Sequence, residues 1–161
     1  GGYPGDDYQG GQLFRELDAD KRFEDIVASA LWLKNRDDCN GKIGATGFCY
    51  GGGVSNQLAV RLGADLAAAV PFYGGAAPEA DVAKIKAAIL VQHGELDTRL
   101  VEAWPAYEAA LTAAGVTHDS NIHPGAMHGF FNDATPERYN EGAATLAWTR
   151  MVDWFNTYTR S

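Results

Sequence analysis

The sequence contains few cysteines, and their spacing fits neither a disulfide framework nor a metal site. Its 161 residues include two, Cys39 and Cys49, a count typical of a reducing compartment. A bridge between them is geometrically poor, because an intervening strand would hold their α-carbons roughly 20 Å apart, whereas a disulfide tolerates about 4.4–6.8 Å. No paired Cys and His spacing resembles a zinc site, so no metal or other cofactor is expected.

The sequence also lacks an excess of basic charge and a long apolar run. Asp and Glu number 21 against 13 Lys and Arg, which argues against a nucleic-acid surface and against binding to an anionic membrane. No apolar run approaches the ~20 residues that cross a membrane. The chain opens on a polar loop rather than a signal peptide. A cytoplasmic location is therefore predicted, with a signal on a preceding segment left open.

The remaining patterns predict a single α/β domain over residues 1–161. Residues 1–19 are glycine-rich and polar, and a loop is predicted there. An amphipathic helix follows, with Asp20 as its N-cap, and "RDDCNG" ends it. Strands are predicted at 42–48, 65–75, 87–97 and 117–124, alternating with helices at 50–62, 101–115 and 135–159. This alternation is typical of a mostly parallel sheet flanked by helices.

Prolines and glycines sharpen the boundaries of the later helices. Pro105 is acceptable only in the first turn of its helix, and Gly115 supplies the stop. Pro136 is predicted near the start of the closing helix. The strand at 117–124 is less apolar than the others, and we therefore place it nearer an edge of the sheet.

The stretch "GFCYGG", residues 47–52, puts a cysteine on the sharpest bend of a strand-turn-helix unit. Its layout is that of a nucleophile elbow, in which a strained turn exposes the nucleophile above the sheet. Glycine is expected at 47 and 51 because a side chain would crowd the bend. Glycine at 52 and 53 would let the helix approach the neighbouring strand.

At this bend Cys49 has two interpretations. A free cysteine is commonly a small buried hydrophobe. As a nucleophile, it would lie at a helix N-terminus, where the dipole favours the reactive thiolate. The backbone N–H of Tyr50 would then donate to a developing oxyanion.

A thiol nucleophile needs a histidine base and a group that orients this base. Asp97 follows the third predicted strand and His128 the fourth, in the order nucleophile, acid, histidine. Both therefore lie past the carboxyl ends of strands, the edge at which open α/β sheets bind ligands. Glu95 is a rival acid, and Asp97 has the alternative role of a helix N-cap.

Three other histidines compete with His128. His93 lies at a strand end and is expected to point into packing, while His118 and His123 begin and end the fourth strand. His128 is preferred because it lies in a glycine-bordered loop between that strand and the last helix.

The pieces "GFCYGG", "HGELD" and "GAMHGFF" resemble the dienelactone hydrolase family of α/β-hydrolases, also called carboxymethylenebutenolidases. The resemblance extends from about residue 20 to the end. It implies an α/β-hydrolase fold and hydrolysis of an ester or lactone through an acyl-thioester on Cys49. It further implies that His128 is the base and that Asp97 holds it.

Two departures from the family leave the substrate open. Family enzymes hold the substrate carboxylate with arginines, and at one such position this chain has Asn132. Arg99 is a candidate to take the place of the missing arginine, although its simpler interpretation is that of an exposed surface residue. A broad carboxylesterase and a non-catalytic fragment or interaction domain are the alternative functions.

The second departure is the lack of the family's first strands, which supply a second oxyanion N–H and a glutamate that engages the resting cysteine. Without them the strand at 42–48 would have an open edge, a template for pairing with another chain. The expected partner is the N-terminal half of the same protein or a second copy.

Overall fold

The computed structural model describes residues 5–160, so the predicted loop at residues 1–4 lies outside the described part. The helices and strands are α1 Asp7–Glu16, α2 Ala19–Lys34, β1 Gly44–Phe48, α3 Tyr50–Leu62, β2 Ala68–Phe72, β3 Ala88–Gly94, α4 Thr98–Ala113, β4 His118–His123 and α5 Glu141–Thr159. Short 3-10 helices occupy Gly63–Asp65 and Glu79–Lys84. No helix within residues 5–160 has the length and apolarity needed to cross a membrane.

The four strands form one parallel sheet in the order β1-β2-β3-β4. The predicted α/β class, with helices flanking a parallel sheet, is confirmed. The less apolar β4 lies at an edge, as expected. Because all four strands run the same way, the residues after each strand meet at one end of the sheet.

Both faces of the sheet are covered by helices, which explains the apolar runs without alternation. Ile89 and Val91 pack in the core under α2, α3 and α4. Leu90, between them, packs in the core on the opposite face, against α5. Every residue of β2 and β3 is buried.

The other edge strand, β1, has no strand on its outer side among the described residues. Its side chains alternate between exposed and half-buried. A cleft of about 670 Å³ borders this strand and is lined, among others, by Leu33 of α2, Thr46 of β1 and Phe155 of α5.

The prediction of a loop over residues 1–19 is wrong for Asp7–Glu16, which form α1. The Asp6 carboxylate caps this helix by accepting from the Gln9 N–H at 2.7 Å. The Phe14 ring packs edge-on to the Tyr50 ring, with centroids 5.3 Å apart. A cap and a long-range contact therefore outweigh the helix-weakening glycines.

Helix α2 begins two residues earlier than predicted, and its cap differs. The N-cap is Asp18 rather than Asp20, since the Asp18 carboxylate accepts from the Lys21 N–H at 2.9 Å. Asp20 instead lies in the first turn, where the helix dipole favours a negative charge.

The predicted starts of the last two helices are also wrong. α4 begins at Thr98, so Pro105 lies inside the helix rather than in its first turn. α5 begins at Glu141, capped by Asn140, so Pro136 belongs to the turns that precede it. The Asn140 side chain caps α5, whereas Asp97 precedes α4 without a side-chain capping bond, and neither proline lies at the start of its helix. The predicted stop at Gly115 is confirmed. Its φ of 68° is the left-handed conformation that ends many helices, and the Val116 N–H donates to the Leu111 carbonyl across this turn.

Candidate active site

Cys49 occupies a strained turn between β1 and α3. Its φ of 55° and ψ of −112° lie outside the regions that non-glycine residues normally adopt. The Cys49 N–H donates to the Phe72 carbonyl at 3.0 Å, and the Cys49 carbonyl accepts from the Gly53 N–H at 3.2 Å. The thiol is exposed at the first turn of α3. This is the geometry of a nucleophile elbow.

The space around the turn explains two of the four glycines. A β-carbon at Gly47 would lie 2.2 Å from the Gly51 carbonyl oxygen, and one at Gly52 would lie 2.4 Å from the Phe72 carbonyl oxygen. The expectation for Gly51 is wrong, because no atom lies within 4 Å of such a carbon there. At Gly53 the nearest atom is 3.7 Å away, an ordinary contact, so that expectation is wrong as well.

Asp97 and His128 form a hydrogen-bonded pair at the same end of the sheet. The His128 Nδ1 lies 2.5 Å from an Asp97 carboxylate oxygen, and the Asp97 side chain is 8% exposed. Asp97 is also the N-cap of α4 through its backbone, but its side chain makes no capping bond. The carboxylate is therefore engaged by the imidazole, and a proton on Nδ1 leaves Nε2 as the basic nitrogen.

Glu95 and His93, two of the rival residues, serve other purposes. The Glu95 carboxylate accepts from the Gly125 N–H at 2.8 Å and so fixes the loop after β4. His93 is buried, and its ring centroid lies 6.4 Å from that of Trp104. Burial lowers the pKa of His93 to about 4, a change that the nearby Asp97 partly opposes. His93 is therefore a neutral core residue.

The remaining histidines are also engaged. His118 Nδ1 pairs with the Val116 carbonyl at 2.8 Å. His123 is buried with Nε2 2.7 Å from the Gln92 side-chain oxygen, and burial lowers the pKa of His123. Among the four histidines, His128 is the one that lines a cleft with Cys49.

That cleft has a volume of about 500 Å³ and an aromatic wall. The Phe48 and Phe131 rings stack with centroids 5.2 Å apart, and the Tyr73 ring lies 5.0 Å from the His128 ring. The lining thus combines a thiol, an imidazole and apolar surface, the composition expected of a small-molecule site.

Arg138 supplies a positive charge to the cleft that the sequence analysis missed. It lines the cleft together with Asn132 and Asp133, whereas Arg99 is exposed and does not. Glu137 lies 3.6 Å from the Arg138 guanidinium, which is 43% exposed. The sequence pattern predicts residue 138 on the closing helix, whereas α5 begins at Glu141 and Arg138 lies in the loop that carries His128 toward this helix.

The first amide of α3 completes the arrangement. The Tyr50 N–H lies at a helix position that has no intrahelical acceptor, and it donates to no other group in the described part of the chain. The Tyr50 hydroxyl accepts from the Arg22 Nε–H at 2.9 Å. The N–H of the residue after the thiol is thus without an acceptor within residues 5–160.

Similar proteins point to one family. A model described as the dienelactone hydrolase family matches residues 1–159. A Saccharolobus solfataricus protein named "Putative carboxymethylenebutenolidase" is 36% identical over 147 residues, which cover 89% of this chain and 56% of that protein. The chain thus spans about half the length of the curated relatives it matches.

Solved structures agree with this assignment. A "Putative Dienelactone Hydrolase" of Klebsiella pneumoniae is 26% identical with a TM-score of 0.76, and the match covers 84% of this chain and 60% of the other. A dienelactone hydrolase-like promiscuous phosphotriesterase from metagenomic libraries is 29% identical with a TM-score of 0.73, covering 81% and 59%. Sequence and fold together lead to one conclusion: this chain belongs to the dienelactone hydrolase family.

Proposed function

We propose that the protein hydrolyses an ester or lactone through a Cys49-His128-Asp97 triad and an acyl-thioester. The observation that carries the proposal is that Cys49, in a strained turn at a helix start, lines the same cleft as His128. The other nitrogen of that imidazole is held by the buried Asp97 carboxylate at 2.5 Å. Covalent acyl transfer needs a nucleophile, a base and a group that orients this base.

In the first half of the reaction, His128 Nε2 takes the thiol proton and the Cys49 sulfur attacks the carbonyl carbon. The carbonyl oxygen becomes an oxyanion, to which the Tyr50 N–H donates. When the intermediate collapses, the bond from carbon to the alcohol oxygen breaks, and that oxygen receives the proton from His128. In a lactone, the alcohol stays attached to the acyl group.

In the second half, His128 takes a proton from water, which attacks the thioester. The bond from carbon to sulfur breaks, and the carboxylic acid leaves. Asp97 fixes the imidazole tautomer and stabilises the imidazolium that forms in each half. No step requires a metal or another cofactor.

The cleft favours an apolar acyl group. The rings of Phe48, Phe131 and Tyr73 line the wall beside Cys49, and aromatic surface gains by covering apolar substrate. Relatives named as carboxymethylenebutenolidases make a lactone the first candidate, and a simple carboxylic ester is the second.

The test is hydrolysis of p-nitrophenyl acetate by the purified protein. We expect Cys49→Ala to abolish turnover and Cys39→Ala, a matched removal of the other cysteine, to preserve it. Mass analysis after acid quenching should find an added acetyl group on the peptide that contains Cys49. Unchanged turnover by Cys49→Ala would contradict the proposal. If the native protein hydrolyses no ester or lactone, the non-catalytic alternative holds.

A further inference from the structure

Tyr73, directly after β2, shares a rare backbone feature with the proposed nucleophile. In residues 5–160, Cys49 and Tyr73 are the two non-glycine residues with positive φ, 55° and 35° respectively. Such conformations are energetically unfavourable for residues with a side chain and are concentrated at functional sites. The Tyr73 N–H donates to the Gln92 carbonyl at 2.7 Å, and the preceding Phe72 carbonyl accepts from Cys49. The two strained residues are thus tied together by the backbone.

The Tyr73 side chain is 4% exposed and lines the cleft. Its ring packs against His128, with centroids 5.0 Å apart, and against Phe130, at 5.4 Å. Within residues 5–160 its hydroxyl makes no hydrogen bond, and this oxygen is not among the buried unpaired atoms. The O–H is therefore accessible from the cleft and available to a molecule bound there.

The charges around the phenol keep it protonated. Burial raises the pKa of Tyr73 to about 12, the negative charge of a Cys49 thiolate acts in the same direction, and Arg138 opposes both. His128 and Asp133 also line this cleft, and Asp97 lies behind His128. Tyr73 is therefore a hydrogen-bond donor at working pH and not a base.

We propose that Tyr73 is a further catalytic residue, whose O–H donates a hydrogen bond to the leaving oxygen of the substrate. The contact between its ring and the imidazole places Tyr73 on the side of the cleft where His128 returns the proton. This inference rests on the proposed hydrolase function. It gives a role to Tyr73 in the stretch "FYGG", residues 72–75, which contains no member of the proposed triad.

The step balances with the groups already named. As the bond from the acyl carbon to the leaving oxygen breaks, the electron pair stays on oxygen and the proton comes from His128 Nε2. Tyr73 keeps its own proton and donates to the developing negative charge. A hydrogen bond to a charged group is stronger than one to a neutral group, so the contact strengthens in the transition state.

The dependence on the leaving group tests this role. p-Nitrophenolate departs without a proton, whereas ethoxide needs one. Because p-nitrophenyl acetate and ethyl acetate form the same acetyl-enzyme, the ratio of the variant rate to the native rate on each ester reports the need for assistance to the leaving group. We expect Tyr73→Phe to lower kcat/KM for ethyl acetate by about tenfold or more and to change the value for p-nitrophenyl acetate less than about threefold. Tyr139→Phe, an exposed tyrosine outside the cleft, is the matched control and should change neither.

Equal losses on both esters in a variant with unchanged circular dichroism, or no loss on either, would overturn the role of Tyr73. The p-nitrophenyl rate reports whether the variant has folded, so misfolding is recognised as an equal loss accompanied by altered circular dichroism. In that case Tyr73→Met, whose smaller and flexible side chain also lacks a hydroxyl, repeats the comparison and decides. Activity that survives Cys49→Ala would instead refute the proposed function, whatever Tyr73→Phe does.

Discussion

Lowering the pH should destabilise the protein through His93. The pKa of this buried histidine falls from 6.5 to about 4 in the folded state, so the unfolded chain binds the proton first. Its contribution to stability is complete above pH 6.5 and is lost as the pH falls toward 4. The linkage relation gives a loss of about 2.5 kcal/mol between pH 7.5 and 4.5, a large part of a typical ~5–15 kcal/mol.

Urea unfolding at pH 7.5, 6.0 and 4.5 measures this loss, with His93→Phe as the comparison. The variant keeps an aromatic ring beside Trp104 but cannot titrate, so its free energy of unfolding should fall about 2.5 kcal/mol less over the same interval. His123, whose pKa burial also lowers, contributes equally to both proteins and cancels. Identical pH slopes for the two proteins would refute the reasoning.

Three further predictions concern the triad, the cleft charge and the open sheet edge. Asp97→Asn should lower kcat, measured by steady-state kinetics, by about 10²–10⁴-fold, and Glu95→Gln should have little effect. The reverse result would assign the orientation of His128 to Glu95 instead of Asp97. A substrate carboxylate should bind through Arg138, so Arg138→Ala should remove any kcat/KM preference for a carboxylate-bearing lactone over its neutral ester, and a loss caused instead by Arg99→Ala would contradict this. We also propose that the open edge of β1 pairs with the N-terminal half of the protein or with a second copy. Sedimentation at low micromolar concentration should then find a mass above 17.3 kDa, and a cooperatively unfolding species of that mass alone would contradict it.

The elements that the sequence predicts well are those specified by local patterns. The helix Tyr50–Leu62 begins and ends where predicted, because a glycine-flanked bend precedes it and Gly63 follows its last residue. The proximity of Asp97 and His128 is predictable because parallel strands bring the residues after them to one edge.

The elements that the sequence predicts poorly depend on contacts between distant residues. Helix α1 contains Gly10 and Gly11 and is held by the packing of Phe14 on Tyr50. The start of α5 is fixed where the Asn140 N–H donates to the Phe130 carbonyl at 3.0 Å. Because neither contact leaves a local pattern, both boundaries were misplaced, and Arg138 was missed with the second.

Tyr73 was missed for a different reason. A bulky residue followed by two glycines at a strand end reads as an ordinary chain reversal. Its positive φ and its contact with His128 arise only when β2 and the loop after β4 come together. The only local indication of a role for this residue is that a tyrosine occupies such a turn.

Activation of Cys49 by His128 is measured through the alkylation of Cys49 by iodoacetamide. Rates at Cys49 and Cys39 are followed by peptide mass spectrometry near neutral pH, in the native protein and in His128→Ala. Cys49 should react faster than Cys39 in the native protein, and His128→Ala should slow Cys49 while leaving Cys39 unchanged. Equal rates at the two cysteines, or a Cys49 rate that does not depend on His128, would contradict the account.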